Sequence, residues 1–301
     1  MKILVTGVNG FIGTHIAEKF KRNGHVVTGI DISEAQNDCI TDFYVLDMLK
    51  DDVQATLGNI CPDIIIHCAG LANVPFSLEQ PMEDFQVNTM MLYRLLEGIR
   101  QCGLSKSRFI LMSSAAVYGQ PGRLPIRETD ELRPMSPYAL HKKMAEDICL
   151  YYVNNYNFDI KILRIFSAYG PGLKKQIFWD MYQKIKKNRC LELFGTGEES
   201  RDYIYIDDLV EAISLIALDE KSDHVIWNVA NGEEVFIKDI AVIFARKMNL
   251  PLELVRFTGR IREGDPVNWC ADVSRMKELG YKRGFSLEEG IEGYLEWVKV
   301  I

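Results

Sequence analysis

The chain has 301 residues, of which 48% are hydrophobic and 26% charged, a balance typical of a globular protein with a sizeable core. A formal net charge of −7 argues against nucleic-acid and anionic-membrane binders, because both depend on a basic surface. No apolar run approaches the roughly 20 residues that span a bilayer, and the apolar start of the chain is too short for a signal peptide. The cysteines and histidines show no ligand-like spacing. We therefore expect a soluble, cytoplasmic protein without a metal site.

The first two thirds of the chain alternate short apolar runs with amphipathic stretches, a pattern that predicts βαβ units on a parallel sheet. The predicted strands cover residues 2–5, 26–30, 44–46, 64–67, 108–112 and 161–164. Apolar residues recur every three or four positions over residues 85–99 and 138–153, which predicts two long helices.

The regular alternation stops near Gly170, where we expect a second, smaller region to begin. Its predicted strands lie near residues 191–194 and 225–228, and its predicted helices near 178–187, 207–218, 238–248 and 287–298. The predicted fold class is α/β, with a Rossmann-type doubly wound parallel sheet and a smaller C-terminal α/β lobe. Residues 1–169 would bind the cofactor and residues 170–301 mainly the substrate, with later segments returning to the first region.

A glycine-rich turn, TGVNGFIG (residues 6–13), joins the first predicted strand to a helical pattern. Gly7, Gly10 and Gly13 allow a tight turn, a close approach of backbone N–H groups to a pyrophosphate, and packing of helix on strand. Asp31 ends the second predicted strand, where its carboxylate would bond the adenosine ribose hydroxyls and repel a 2′-phosphate. This pattern favours NAD over NADP, although Asp31 is also compatible with an ordinary solvated turn.

Further cofactor contacts are predicted around this turn and after the third and fourth strands. Asp47 is a weaker candidate for the adenine edge, and a helix N-cap is an equally good interpretation of it. The remaining predicted contacts are Asn9, Phe11, Ile12, Met48 and Ala69, together with the tyrosine and lysine described next.

Tyr138 and Lys142 form a Tyr-x-x-x-Lys pair that follows a Ser-Pro turn and lies on one face of a predicted helix. Ser114, at the end of a predicted strand, is the serine expected to accompany them. A second pair, Tyr182 with Lys186, lies in a Lys-rich amphipathic segment, where a core-facing ring and a solvated lysine explain the pattern. We therefore predict that only Ser114, Tyr138 and Lys142 are catalytic.

The predicted chemistry requires Tyr138 to exist as an anion. Because tyrosine normally titrates near 10, a phenolate at pH 7 needs about 4 kcal/mol of preferential stabilisation. The Lys142 ammonium and an oxidised nicotinamide are two positive charges that would supply it. The tyrosinate would then remove a proton from a sugar hydroxyl while hydride passes to the nicotinamide, with Ser114 bonded to the same oxygen. Lys142 would also anchor the nicotinamide ribose.

Seven motifs follow one another along nearly the whole chain. They are TGVNGFIG (6–13), HCAG (67–70), Pro81 with Asn88, SSAAVYG (113–119), SPYALHK (136–142), LRIFSAYGPG (163–172) and RDYIYIDDL (201–209). In this order they resemble the extended short-chain dehydrogenase/reductase superfamily, within its NAD-dependent epimerase/dehydratase branch. The resemblance implies a hydride-transferring enzyme that acts on a sugar attached to a nucleoside diphosphate.

The resemblance also implies substrate contacts beyond the catalytic serine and tyrosine. Arg201 and Arg262 match arginines that meet the substrate diphosphate in this family, a task that suits the planar guanidinium fork. A surface salt bridge is the alternative for each arginine, and Asp265 is a candidate for the nucleoside ribose on the same footing. Ser167 stands where many relatives carry an asparagine near the substrate phosphate, which leaves the identity of nucleotide and sugar open.

Relatives that also remove water carry an acidic pair where this chain has Ala115 and Ala116, which argues against a 4,6-dehydratase. The leading interpretation is an NAD-dependent nucleotide-sugar 4-epimerase, in which hydride leaves C4 and returns to the opposite face. The alternative is a reductase of a nucleotide-linked 4-keto-6-deoxy sugar, which uses the same three residues once. A non-catalytic NAD sensor would be expected to have lost part of this set. The family also implies a homodimer through the helices at 85–99 and 138–153, whose apolar faces exceed what one sheet needs.

Overall fold

A computed structural model describes residues 1–34, 38–260 and 266–301 of the chain. The predicted substrate contacts Arg262 and Asp265 lie outside the described residues, so their roles stay predictions.

Thirteen strands and eleven α-helices are present in the described ranges. The strands are β1 (Lys2–Thr6), β2 (Val26–Asp31), β3 (Asp42–Val45), β4 (Ile64–His67), β5 (Arg108–Ser114), β6 (Ile160–Ile165), β7 (Ser167–Tyr169), β8 (Leu191–Leu193), β9 (Ser200–Arg201), β10 (Tyr203–Tyr205), β11 (Ile226–Val229), β12 (Val235–Phe236) and β13 (Val255–Phe257). The helices are α1 (Phe11–Arg22), α2 (Val53–Ile60), α3 (Val74–Glu79), α4 (Pro81–Phe85), α5 (Met91–Gln101), α6 (Pro137–Tyr156), α7 (Gln176–Asn188), α8 (Ile206–Leu218), α9 (Ile237–Lys247), α10 (Ser274–Glu278) and α11 (Leu287–Lys299).

Seven strands form one sheet in the order β3-β2-β1-β4-β5-β6-β11. Strands β1 to β6 pair in parallel, and the chain leaves β1 first toward β3 and then, from β4, toward the other edge. The reversal of direction between β1 and β4 is the topological switch point of a doubly wound sheet, where such folds bind ligands beyond the carboxyl ends of the strands. The predicted α/β class with a Rossmann-type sheet is confirmed.

The apolar face of α5 forms the centre of the main core. Leu92, Leu95, Leu96 and Ile99 are each fully buried and belong to one cluster with side chains of the central strands and α6. Burying a leucine or isoleucine side chain is worth about 1.5–3 kcal/mol, so these four residues alone hold α5 firmly on the sheet. Their spacing in the sequence correctly predicted the buried face of this helix.

The prediction of a single helix over residues 85–99 is wrong in two respects: the helical segment begins earlier, and it is interrupted. Helix α4 begins at Pro81, and a π-helical turn over Gln86–Met90 separates it from α5. A π turn inserts one residue into the helical repeat and is often found at functional sites. The turn carries Asn88, whose side chain bonds the backbone of the β4–α3 loop at Leu71, and this tertiary contact has no signature in apolar spacing.

The described residues form two compact units. The first comprises residues 1–119, 131–165 and 210–227, and the second comprises residues 120–130, 166–209 and 228–301. The chain therefore leaves and re-enters the first unit more than once. The assignment of one region to the cofactor and the other to the substrate stays a prediction. No described helix combines the length and the apolar character needed to cross a membrane.

The second unit contains three two-stranded sheets, β7 with β10, β9 with β12, and β8 with β13. A buried carboxylate organises its loops: Asp202, fully buried, accepts hydrogen bonds from the backbone N–H groups of Asn231, Gly232 and Ala271 at 2.9, 2.9 and 3.0 Å. These bonds tie the end of β9 to two separate loops, which fixes the position of the neighbouring Arg201.

Candidate active site

The glycine turn between β1 and α1 approaches the backbone that follows β4. A Cβ atom on Gly7 would lie 2.6 Å from the Ala69 backbone, and one on Gly13 would lie 2.3 Å from the Gly7 carbonyl oxygen. Gly7 also has a φ of +67°, a conformation that other residues rarely adopt. The turn is therefore an open backbone cradle at the N-terminus of α1 and at the switch point of the sheet, which fits the pyrophosphate of a dinucleotide.

Asp31, at the end of β2, bonds directly to this turn. Its carboxylate accepts the backbone N–H of Asn9 at 3.0 Å and that of Ile32 at 2.9 Å. The Asn9 side chain in turn donates to Ser33 Oγ at 3.0 Å. These contacts place the Asp31 carboxylate beside the glycine turn and only partly exposed, as an adenosine-ribose ligand requires. Its part in cofactor binding stays a prediction.

Asp47 caps a turn after β3. It accepts the Leu49 N–H at 3.0 Å and pairs with Lys50 at 2.8 Å, whereas the N-cap of the next helix, α2, is Asp52. The helix N-cap interpretation of Asp47 is therefore wrong. Met48, beside it, is 4% exposed and packs in the core cluster. Cofactor contacts by Asp47 and Met48 stay predictions.

A buried histidine connects the two strand ends beside the glycine cradle. Its structural role was not predicted from the sequence. His67, at the end of β4, is 3% exposed, and its Nδ1 atom lies 2.7 Å from the Thr6 hydroxyl at the end of β1. Burial lowers the pKa of His67 to about 3, because a cation there would have no water around it. The neutral ring thus joins the two strand ends between which the cradle lies.

Helix α6 presents the predicted catalytic pair. It begins after Ser136, whose hydroxyl accepts the Ala139 N–H at 3.2 Å, with Pro137 in the first turn, as helix N-termini favour. Tyr138 and Lys142 follow on the same face, each 7% exposed. The start of this helix and the shared face of the pair agree with the sequence prediction.

Ser114 meets this face from the carboxyl end of β5. Its side chain caps a 3₁₀ turn over Ala115–Tyr118 by accepting the Ala116 N–H at 3.2 Å. The side chains of Ser114 and Tyr138 are hydrogen-bonded to each other. The structure therefore brings together the three residues predicted to be catalytic, from one strand end and one helix.

The two titratable groups of this site have displaced pKa values. Burial lowers the pKa of Lys142 to about 8, and its ammonium donates to the Met112 carbonyl at 3.0 Å. Burial raises the pKa of Tyr138 to about 12, an effect that its bond with Ser114 only partly offsets. The protein by itself thus holds Tyr138 protonated at neutral pH. A phenolate needs further positive charge at this site.

A buried ionic network fixes the Ser114 turn to α6 and β6. Glu146, one helical turn beyond Lys142, accepts the Ser113 hydroxyl at 2.5 Å and pairs with Arg164 at 2.7 Å. Arg164 also donates to the Tyr118 hydroxyl at 2.9 Å, with its guanidinium carbon 4.8 Å from the centre of that ring. Ser113 lies just before the 3₁₀ turn and Tyr118 is its last residue, so both ends of the turn are held. Residue spacing alone gave no signal for this network.

The predicted substrate contacts Ser167 and Arg201 both lie in the second unit, on β7 and β9. Arg201 stacks over Trp269, with its guanidinium carbon 5.4 Å from the ring centre, and its Nη1 donates to the carbonyls of Ser200 and Val267 at 2.7 and 3.1 Å. Among the described residues, these contacts of Arg201 are with an aromatic ring and two backbone carbonyls. The surface salt bridge considered as the alternative stays open. Binding of a diphosphate by Arg201 stays a prediction.

The second Tyr-x-x-x-Lys pair behaves as the sequence suggested. Tyr182 is 5% exposed on α7, and the Lys186 ammonium lies 5.3 Å from the centre of its ring at the surface of the helix. Across the described ranges, no group of three or more His, Cys, Asp or Glu side chains is arranged to hold a metal ion.

Comparison with known proteins identifies relatives over the full chain. The family model described as "NAD dependent epimerase/dehydratase family" matches residues 3–230. A putative UDP-glucose 4-epimerase of Methanocaldococcus jannaschii is 30% identical over 305 residues, covering 99% of this chain and 98% of the relative.

Two solved structures show the same fold. A UDP-glucose 4-epimerase from Thermotoga maritima, solved with UDP-glucose, has a TM-score of 0.89 at 27% identity, covering 100% of this chain and 99% of the other. A UDP-glucuronic acid 4-epimerase from Bacillus cereus, solved with UDP-glucuronic acid and NAD, has a TM-score of 0.88 at 28% identity, with the same coverage.

The neutral state of His67 predicts a loss of stability in acid. Its pKa of about 3 in the folded protein lies below the ordinary 6.5, so between these values only the unfolded chain takes up a proton. The free energy of unfolding should fall by about 1.4 kcal/mol per pH unit as the pH drops through this window. Urea titrations of wild type and His67→Gln at several pH values measure this slope, and equal slopes in the two proteins would contradict the prediction.

The Glu146–Arg164 pair predicts a large effect on stability. Arg164→Met leaves a buried carboxylate without its cation and should lower the free energy of unfolding by about 3–5 kcal/mol. Lys143→Met, which breaks the more exposed Lys143–Asp147 pair on the same helix, should cost less than about 1 kcal/mol. Urea unfolding of both variants makes the comparison, and similar losses would show that the buried network is not special.

Proposed function

The chain belongs to the NAD dependent epimerase/dehydratase family, with NAD as its cofactor, and we propose that it is a 4-epimerase of a nucleoside-diphosphate sugar. The observation that carries this proposal is the convergence of Ser114, Tyr138 and Lys142 beside the glycine cradle of one unit. The set is complete, with Tyr138 and Lys142 buried and Ser114 half-buried, which suits hydride transfer away from water.

Each residue of the set has a separate task in the proposed reaction. Tyr138 removes the proton of the sugar C4 hydroxyl and later returns it, while Ser114 donates a hydrogen bond to the same oxygen. Lys142 holds a positive charge beside Tyr138 and favours its phenolate. NAD, when bound, supplies the hydride acceptor and donor and a further positive charge. The hydride leaves C4 and returns to the opposite face of a 4-keto sugar, so the reaction consumes no cofactor.

The 3₁₀ turn beside Ser114 supports epimerisation over loss of water. Dehydration between C5 and C6 needs a general acid and a general base in addition to the tyrosine. The turn offers Ala115, fully buried, and Ala116 at the two positions where dehydratases of this family carry acidic residues. These side chains cannot transfer protons.

The relatives direct the choice of substrate. The M. jannaschii, T. maritima and B. cereus proteins all carry names of 4-epimerases that act on UDP-linked hexoses or hexuronic acids. We therefore propose a UDP-sugar as the first substrate class to test, with Arg201 of the second unit as a ligand of its diphosphate. Its stacking on Trp269 holds the guanidinium in a fixed plane, which suits bidentate bonding to phosphate oxygens.

The direct test incubates the purified protein with UDP-hexoses, UDP-hexuronic acids and their N-acetylated forms, each with catalytic NAD. Proton NMR should show interconversion of one pair of C4 epimers without net reduction of the nicotinamide. Stoichiometric oxidation of NADH or NADPH with 4-keto-6-deoxy sugars, without interconversion of any epimer pair, would overturn the proposal in favour of a reductase.

Tyr138→Phe should bind NAD as the wild type does but lose turnover by a factor of about a hundred or more, because the base is gone and the ring remains. Tyr182→Phe removes the hydroxyl of the other Tyr-x-x-x-Lys pair and serves as the matched control. Steady-state rates and NAD titrations by calorimetry test both variants. A wild-type rate in Tyr138→Phe would remove this residue from the mechanism.

We also propose that the protein is a homodimer through α5 and α6. Large apolar side chains stand exposed on both helices and on the π turn before α5. They are Met90 at 43% on the turn, Tyr93 at 49% on α5, and Leu140 at 46%, Met144 at 37% and Tyr151 at 55% on α6. The last three lie four and seven positions apart and form one stripe along α6. Such a contiguous apolar stripe favours an interface over solvent.

Light scattering at micromolar concentration should give the mass of two chains for the wild type. Met144→Glu combined with Tyr151→Glu should give the mass of one, because two charges would have to be desolvated at the interface. Val300→Glu changes an apolar residue that is 82% exposed and belongs to neither helix, and it should leave the dimer intact. A monomeric wild type would refute the homodimer.

A further inference from the structure

A buried carboxylate lies under the catalytic helix and has no part in the chemistry described so far. Asp84, on α4, is fully buried. Its Oδ2 atom lies 2.6 Å from Nδ1 of His141, and its Oδ1 atom accepts the Asn88 side-chain amide at 3.0 Å. A buried carboxylate is costly unless it is bonded in this way, so its retention calls for an explanation.

The two groups that hold the Asp84 carboxylate are themselves fixed. The Asn88 side chain accepts the Leu71 N–H at 3.2 Å and donates to the Leu71 carbonyl at 3.0 Å. The backbone carbonyl of His141 accepts the Thr89 hydroxyl at 3.1 Å. Asp84, the π turn and the start of α6 therefore form one bonded assembly next to Tyr138 and Lys142, and the carboxylate cannot turn away from them.

The charge of Asp84 acts on both members of the catalytic pair. It raises the pKa of Tyr138, in addition to the effect of burial. It also raises the pKa of Lys142, which burial lowers. For Tyr138, the bond with Ser114 acts against both burial and the charge of Asp84.

Lys142 also faces Cys68, Glu146 and Cys149. Burial raises the pKa of both thiols, Cys68 to about 12, so they are uncharged at neutral pH. The charge of Glu146 is compensated by its ion pair with Arg164. Asp84 is thus the buried carboxylate whose charge acts on both members of the pair.

We propose that Asp84, held by His141 and Asn88, is a positioning residue that sets the range of pH in which the Tyr138–Lys142 pair is active. The inference rests on the proposed hydride-transfer function. It assigns to Asp84 a task that acts through the pair and involves no contact with the substrate.

The sign of the effect follows from the charge. Activity needs Tyr138 to lose its proton, which sets the acid limb of the pH profile, and Lys142 to keep its proton, which sets the alkaline limb. A negative charge opposes the first and favours the second, so it moves both limbs toward higher pH. The two groups titrate as a coupled pair, and the limbs report apparent values of that pair.

The test is the pH profile of turnover in Asp84→Asn, which removes the charge and keeps the shape. Both limbs should move toward lower pH by about one unit, as expected for the loss of a nearby buried charge. A merely structural role would lower the rate at every pH and leave both limbs in place, and that result would overturn the proposal. Glu83→Gln, an exposed neighbour on the same helix, is the matched control and should leave the limbs unmoved.

Two further variants keep the test decisive. Asp84→Ser also deletes the charge and should displace both limbs in the same direction if Asp84→Asn does not fold. His141→Gln keeps an N–H donor for the carboxylate but cannot titrate, so its limbs should stay where the wild type has them, whatever its rate. A displacement in His141→Gln as large as that in Asp84→Asn would show that His141, and not Asp84, is the group in control.

A measurement without turnover separates this inference from the proposed function. In protein labelled with ¹³C at the lysine ε-carbon, the Lys142 resonance is identified by its absence in Lys142→Met. Its midpoint, near the pKa of about 8, should fall in Asp84→Asn and stay in Glu83→Gln. A lower midpoint with no turnover of any sugar would support Asp84 and reject the epimerase, whereas an unmoved midpoint would reject the role of Asp84.

Discussion

Burial of two ionisable side chains on one face of α6 is the constraint on which the rest of the first unit depends. Tyr138 and Lys142 are removed from water, and desolvation opposes the charged form of each. A protein that needs a phenolate and an ammonium at this place must add charge of the right sign and hold it there. Asp84 supplies such a charge for the Lys142 ammonium but opposes the Tyr138 phenolate, which needs positive charge instead.

Three buried contacts support this region. The Glu146–Arg164 pair holds the Ser114 turn at the end of β5, and Asp84 on α4 bonds to His141 on α6. The neutral ring of His67 joins β1 to β4 below the glycine cradle. Each support is buried and bonded, so each is costly to disturb, and together they restrict the hydroxyls of Ser114 and Tyr138. Such preorganisation is a large part of how enzymes stabilise charge in a transition state.

Much of this organisation could be predicted from the sequence, because it depends on interactions between residues that are close together in the chain. The glycine turn, the Ser-Pro start of α6 and the four-residue spacing of Tyr138 and Lys142 are constraints between near neighbours in the chain. Apolar runs identified strands β1 to β6, β8 and β11 within one or two residues, whereas the short strands β7, β9, β10, β12 and β13 were not predicted. The π turn and the buried pairs were missed because they depend on tertiary contacts. Asp84 and His141 are 57 positions apart, and nothing in the spacing of charged residues indicates that they meet. The segment 120–130, which joins the second unit, also gave no signal.

The central claim is that a hydride leaves C4 of a nucleotide sugar and returns to the same carbon from the other side. The most direct measurement uses a substrate deuterated at C4, converted to equilibrium in ordinary water and analysed by NMR and mass spectrometry. The account predicts that both epimers keep the deuterium at C4, because the label stays within the closed site throughout the turnover. Loss of the label to solvent during epimerisation would contradict it and would point to proton abstraction at carbon.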